Sequence, residues 1–284
     1  MTAVPLLLAV VALVGFPLFD LVRTTFDTAG AGAGIDGEAI RNSLVTATLA
    51  AVLAAVIGVG AALVTERSGS RRWRGLRVAF LLPLLVPPFV SALAWTRAFG
   101  PGGLTSDVLG WHLPGLFGPV GIVMVLAVHA APLVYLVTAA ALTTRARPEL
   151  EWAARISGGT PGASLRAVTL PLLAPAIAGG TLLAFVVSLN SFGVPAVLGV
   201  PAGFPTITTR IFGDLARSAD PAAFHRVLVS ATVLMVLVVV AVAIAGWLLR
   251  RQRGEPLRSG REPLPPVGSG RGGRLVWGYL ALTT

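Results

Sequence analysis

LVTATLAAVLAAVIGVGAALV, residues 44–64, followed at once by TERSGSRRWRGLR, residues 65–77, decides the class of fold. The first stretch carries no charge and is close to the roughly 20 residues an α-helix needs to cross a hydrocarbon core. It lacks the period-two alternation of a barrel strand, so a helix is the form that satisfies its backbone in lipid. The second stretch sets Arg67, Arg71, Arg72, Arg74 and Arg77 against one acid, Glu66, the signature of a loop retained on the cytoplasmic side. Just upstream, Asn42 and Ser43 are residue types that start helices.

The composition says the same of the whole chain. Of 284 residues, 55% are hydrophobic and 12% charged, and the mean hydropathy is +0.83, far from the usage of a water-soluble domain. The net charge of +10 comes from arginine alone, since there is no lysine. In a soluble protein such a balance points to nucleic acid. Here the arginines stand between apolar runs, as cytoplasmic loops place them, which speaks against nucleic acid. The absence of cysteine excludes disulfides, thiolate metal sites and cysteine nucleophiles.

Working outward from residues 44–64, five more apolar runs appear, at 3–19, 78–99, 120–142, 172–189 and 227–249. The first has neither a positive leader nor a small-residue cleavage site, so it reads as a span and not a removable signal. The third is interrupted by Pro83, Pro87 and Pro88, which remove amide donors and kink a helix. Residues 100–117 form a turn-rich loop ending in Trp111 and His112, and 190–226 a longer mixed one. The segments 65–77, 143–170 and 250–274 hold five, four and seven arginines, sixteen of the 22. The expectation is an all-α membrane protein, a bundle of six transmembrane helices over residues 1–249 with both ends cytoplasmic. Residues 250–274, rich in Arg, Pro and Gly, read as a flexible cytoplasmic linker, and the apolar restart at 275–284, too short to span by itself, reads as an interfacial tail or the opening of a further span, the start of a second unit.

Function concentrates in the long inner loop: Glu149, Leu150, Glu151, Trp152, Ala153, Ala154, Arg155, Ile156, Ser157, Gly158, Gly159, Thr160, Pro161, then Val168, Thr169, Leu170, Pro171. Helix formers, a Gly-Gly-Thr-Pro break and a second helical piece predict two short helices at the membrane surface. Ala153 and Ala154 offer a slim face, Gly158 and Gly159 permit a tight turn, and Pro171 suits the first turn of the next helix. An ordinary amphipathic connector has the same local features.

This loop resembles the cytoplasmic "EAA" loop of binding-protein-dependent ABC importer permeases, in which Glu-Ala-Ala is followed after three residues by Gly and after nine more by Ile-x-Leu-Pro. Ala153, Ala154, Gly158, Val168, Leu170 and Pro171 fall in register. Trp152 stands where the family has glutamate, and Glu151 comes one residue early. The resemblance implies a coupling helix that docks on a dimer of partner ATPase subunits through Glu151, Ala153, Ala154, Arg155, Gly158, Gly159, Leu170 and Pro171. LPLLVPPFVSALA (82–94) and NSFGVPAVLGVPAGFPTITTR (190–210) look like the ferric-iron type of these permeases, many of which carry two six-helix units in one chain. That resemblance implies ferric iron as cargo, an extracytoplasmic binding protein, a second permease unit, fused or separate, and residence in a bacterial inner membrane. Thiamine, polyamines and phosphonates are the alternative cargoes.

Other residues are weighed on their own chemistry. His129 lies inside a span, where a titratable group is a functional candidate, although a neutral histidine bonded to a neighbouring helix is the commoner situation. Asn190, Ser191, Phe192 and Thr209 sit where a helix meets a Gly-Pro break and could line the translocation path, or simply cap a loop. Arg97, Arg210, Arg217 and Arg226 with Asp107, Asp214 and Asp220 form an outer charged set, for a binding protein or for solvent. No carboxylate pair, phosphate loop or metal-ligand spacing is present, so no cofactor, metal or intrinsic catalysis is expected. A secondary transporter or channel is the rival from another class; ion-coupled carriers usually place acids within their spans, and only Asp20 lies near one.

Overall fold

A computed structural model describes residues 15–27, 36–67, 72–100, 103–110, 114–145, 148–217 and 221–252. Every regular element among them is helical. In chain order these are α1 (Phe16–Asp27), α2 (Gly37–Arg67), α3 (Arg72–Leu81) with a 3-10 turn (Leu82–Leu85), and α4 (Pro88–Phe99). There follow α5 (Leu104–Leu109), α6 (Pro119–Arg145), α7 (Pro148–Ile156), α8 (Pro161–Leu189), α9 (Gly193–Leu198), α10 (Ile207–Arg217) and α11 (Pro221–Gln252). The chain divides at Gly246 into residues 1–246 and 247–284, and the described part of the second unit, 247–252, is helical. Beyond Gln252, the expected linker and apolar restart lie outside the described residues, as do Trp111, His112 and most of the expected first span.

Four helices, α2, α6, α8 and α11, are long and apolar enough to cross a membrane, and the bent pair α3–α4 makes a fifth. Among the described residues the spans therefore number four or five, where the sequence pattern predicts six over the whole chain. Several boundaries also move. α2 begins at Gly37, seven residues before the apolar run, because Asp36 caps it: its Oδ1 accepts from the Ala39 amide at 3.0 Å. Asn42 and Ser43 consequently lie inside the helix, where both are buried. The expected single span at 78–99 is broken outright. Val86 and Pro87 are extended (ψ 123° and 136°), as the residue before a proline must tend to be, and α4 restarts on Pro88. The segment 190–226 holds α9, α10 and the start of α11, so it is not a loop, and 100–117 contains α5.

The core is a three-helix seam of α2, α6 and α8. Lipid is as apolar as leucine, so helices in a membrane associate through close packing of small side chains. Ala50, Ala51 and Ala54 on α2 pack with Ala127, Ala130 and Ala131 on α6, all buried, and Ala62 lies further along the seam with Tyr135. Gly58 marks the closest approach, since a Cβ there would sit 2.6 Å from the Ala131 carbonyl oxygen and 2.9 Å from the Tyr135 amide. Three clusters run along the seam, one around Ile122, Val125 and Leu198, one around Ala54, Val134 and Ala184, and one around Tyr135, Leu142 and Leu173. α6 is central, with 61% of its most apolar window buried, whereas the figure for α11 is 6%.

Candidate functional site

The end of the seam that carries α7 is built by the break Ser157–Thr160. Gly158 adopts φ +91°, a conformation only glycine takes without strain. The Gly159 amide donates to the Ala154 carbonyl at 3.0 Å, and a Cβ on Gly159 would meet that oxygen at 2.7 Å. The chain thus folds back tightly on itself. Thr160 then caps α8, its hydroxyl accepting from the Ala163 amide at 3.2 Å, with Pro161 in the first turn. The second short helix of the sequence pattern does not stand alone: it runs through a π turn, Leu165–Thr169, directly into the span. Pro171 stands, as expected, in the first turn of the regular helix that resumes at Leu170, although that helix continues the π turn without a break. The π turn precedes the proline that would interrupt regular hydrogen bonding, and the Leu170 amide reaches back to the Leu165 carbonyl.

α7 has two faces. Glu151 and Ala154, three residues apart, are partly covered, while Glu149, Leu150, Trp152, Ala153, Arg155 and Ile156 are exposed. Trp152 is 66% and Ile156 88% exposed. Of the residues expected to meet a partner, Ala153 and Arg155 point outward, Gly158 and Pro171 are exposed, and Gly159 and Leu170 are half-buried. Glu151 turns inward, and its Oε1 accepts the hydroxyl of Thr169, which is 1% exposed. The sequence pattern missed Trp152 and Ile156 as large apolar side chains left exposed on α7. Their spacing of four on an amphipathic helix is the signal that could have found them.

The expected path residues fall into two places. His129 stands against the α3–α4 break beside a cavity of about 350 Å³ lined by Leu82, Pro83, Val86, Ser91, Trp95 and Val128 among others. Its Nδ1 lies 3.0 Å from the Val125 carbonyl, its Nε2 3.1 Å from the Val86 carbonyl and 3.2 Å from the Ser91 hydroxyl. One tautomer donates from Nδ1 to the Val125 carbonyl and accepts the Ser91 hydroxyl at Nε2; the other donates from Nε2 to the Val86 carbonyl. His129 therefore clasps the break of the bent span to α6.

Asn190, Ser191, Phe192 and Thr209 gather at the far end of α8. Asn190 Nδ2 donates to the Val186 carbonyl at 2.8 Å, the Ser191 carbonyl accepts from the Thr208 hydroxyl at 2.9 Å, and the Phe192 and Phe212 rings lie 4.9 Å apart. Thr209, buried, accepts from the Thr206 amide at 2.8 Å and lines a second cavity of about 440 Å³ with Phe204, Arg210 and Asp214. The two cavities share no lining residue. Asn42 and Ser43 hold this end in place: Asn42 Nδ2 donates to the Pro205 carbonyl at 3.0 Å, and Ser43 Oγ accepts from the Ile207 amide at 2.9 Å. Of the outer charged set, Arg226 approaches Asp214 at 3.4 Å, while Arg210 pairs at 2.7 Å with Asp36, a residue the sequence pattern passed over.

A multi-span helical bundle with a small-residue seam, a broken span and an amphipathic helix held off one end is the build of a membrane transport component. Residues 54–254 match the family described as binding-protein-dependent transport system inner membrane component, and the chain belongs to that family. The chain is 34% identical over 220 residues to the molybdenum transport system permease protein ModB of Mycobacterium bovis, a match covering 76% of this chain and 80% of that one. It is 30% identical over 220 residues to a putative 2-aminoethylphosphonate transport system permease protein, PhnV, of Salmonella choleraesuis, covering 76% and 77%. Similarity to the ferric transport system permease protein FbpB of Actinobacillus pleuropneumoniae is 29% over 192 residues, covering 66% of this chain and 28% of the relative. A bacterial ABC transporter that imports the acidic polysaccharide alginate has the same fold, with a TM-score of 0.72, 19% identity and coverage of 87% and 93%.

The chain is thus an ABC importer permease of the multi-pass inner-membrane class. The preference for ferric iron drawn from residues 82–94 and 190–210 does not hold, because the relatives include molybdenum and phosphonate permeases as well as ferric ones.

Proposed function

We propose that this chain forms the translocation path of an ATP-driven importer and takes its energy from a separate ATPase that docks on α7. The observation that carries this is the outward face of α7: a tryptophan and an isoleucine, 66% and 88% exposed, beside Glu149 and Arg155 on a short amphipathic helix. Large apolar side chains next to charges, outside the long apolar runs, suit the centre of a protein interface, where aromatic anchors contribute most of the binding free energy. Family membership supports such a partner, and the arginine distribution supports a cytoplasmic location for α7 and for both ends of the bundle. The opposite end, with Arg210, Asp214 and the cavity between them, would then receive an extracytoplasmic binding protein. A related structure of the alginate transporter is in complex with an alginate pentasaccharide-bound periplasmic protein.

In this reading ATP binding closes the ATPase dimer, α7 moves with it, and α8 and the bent span reorient around the α2–α6 seam. The assembly needs a second permease unit, fused or separate, to complete the path. The cargo is a small solute delivered by the binding protein. The test is reconstitution of the full chain in proteoliposomes with the ATPase and binding protein encoded beside it, assayed with molybdate, ferric iron and 2-aminoethylphosphonate. Uptake of one of them that requires ATP and the binding protein is expected. Uptake driven by an ion gradient without the ATPase would establish a secondary carrier instead.

A further inference from the structure

The glutamate and the tryptophan of α7 divide the work that a single position does at the register of the resemblance. We infer that Glu151 is a positioning residue: it fastens α7 to the π turn of α8 through Thr169, and leaves the partner contact to Trp152 and Ile156. The inference rests on the reading of α7 as the ATPase-docking helix and adds how its motion enters the bundle.

Three observations converge on it. Glu151 lies on the covered stripe of α7 with Ala154, one step around the helix from the exposed Trp152. Its partner is 18 residues away in sequence and almost wholly buried, so the contact ties two elements together and does not decorate a surface. A hydroxyl donating to a carboxylate is a charge-assisted bond, stronger than a neutral one. The return between the two elements is also stiff. Gly159 closes on the Ala154 carbonyl, and the Ser164 hydroxyl donates to the Thr160 carbonyl at 2.9 Å with Ser164 1% exposed. α7 and the first two turns of α8 therefore form one block with two ties, the loop and the Glu151–Thr169 bond. Thr169 sits at the end of the π turn, where the helix resumes regular geometry toward the span. A displacement of α7 is thus delivered to α8 at residue 169, the last of the π turn, next to the regular helix of the span.

The experiment exploits the absence of cysteine. Val56→Cys on α2 and Leu183→Cys on α8, both exposed, accept spin labels as a unique pair. The distance between them is measured in the full chain bound to its ATPase, with and without a non-hydrolysable ATP analogue, and ATPase affinity is measured in parallel. Thr169→Val keeps the shape and removes the donor, and Glu151→Leu removes the acceptor. Glu151→Gln keeps an acceptor carbonyl. The nucleotide-dependent change is expected to persist in Glu151→Gln and to fall at least fivefold in Thr169→Val and Glu151→Leu, with their double variant no worse than either. ATPase affinity is expected to stay within twofold in Thr169→Val and Glu151→Gln. A Thr169→Val protein that moves like the parent overturns the tie. A tenfold loss of affinity in Glu151→Gln also overturns it, by making the carboxylate a partner contact. Should Trp152→Ala leave affinity unchanged, the docking reading itself fails, an outcome separate from the other two.

Discussion

The α2–α6 seam and the helix α7 use side-chain size in opposite ways. Where α2 and α6 approach most closely the buried residues are small, with Ala54, Ala127, Ala130 and Ala131 at 0–1% exposure and Gly58 against backbone. On α7 the largest side chains are the most exposed. Exposure alone does not separate the two, since α2 also exposes Val52 and Val56. In a span such residues meet lipid, which accepts them. α7 lies outside the spans, so its exposed Trp152 and Ile156 need another cover. The difference teaches that in a membrane protein the fold is read from where small residues are buried, and the partner surface from where large ones are exposed beyond the apolar runs.

That contrast is broken most sharply at Gly58. Gly58→Ala drives a methyl into the Ala131 carbonyl and is expected to cost about 3 kcal/mol, read as a lowered unfolding temperature in detergent. Gly60→Ala, one turn-face away with open space around it, is expected to be tolerated. Next comes the clasp on the bent span. His129→Phe leaves the Val86 carbonyl and the Ser91 hydroxyl without the ring nitrogen, at about 1–3 kcal/mol in the same assay, whereas His129→Gln recovers part of it. Smaller still is the ion pair at the opposite end. Asp36 is half-exposed with Arg210, so Arg210→Ala should cost no more than about 1 kcal/mol, and added salt should hide most of it. Smallest is the effect of Trp152→Ala and Ile156→Ala on stability, expected within about 0.5 kcal/mol of the parent because both side chains are largely exposed.

Much of the bundle was legible in the sequence because lipid imposes a simple rule. An uncharged run such as 44–64 has few alternatives to a helix. Where that rule stops, the reading stops with it. Nothing in the hydropathy of residues 190–226 distinguishes loop from α9 and α10, and the start of α10 is held by Asn42 and Ser43 reaching from α2. Those two looked like helix starters because Asn and Ser usually are. Here Asp36 does the capping, which frees them to bond across the bundle. The prolines at 83, 87 and 88 announced an interruption, but not the ring of His129 on α6 that stands against the break, 3.1 Å from the Val86 carbonyl. In the site, the Gly-Gly turn and the cap at Thr160 were readable from local chemistry. The direction of Glu151 was not, because it is fixed by Thr169 on another element.

The most direct measurement of the central claim is the affinity of the full chain for its ATPase, compared with that of the Trp152→Ala/Ile156→Ala double variant. If α7 docks the ATPase through these two anchors, affinity falls by at least about thirtyfold, the effect of losing a single strong hot spot, while the variant remains folded. An unchanged affinity in a folded variant would contradict the account.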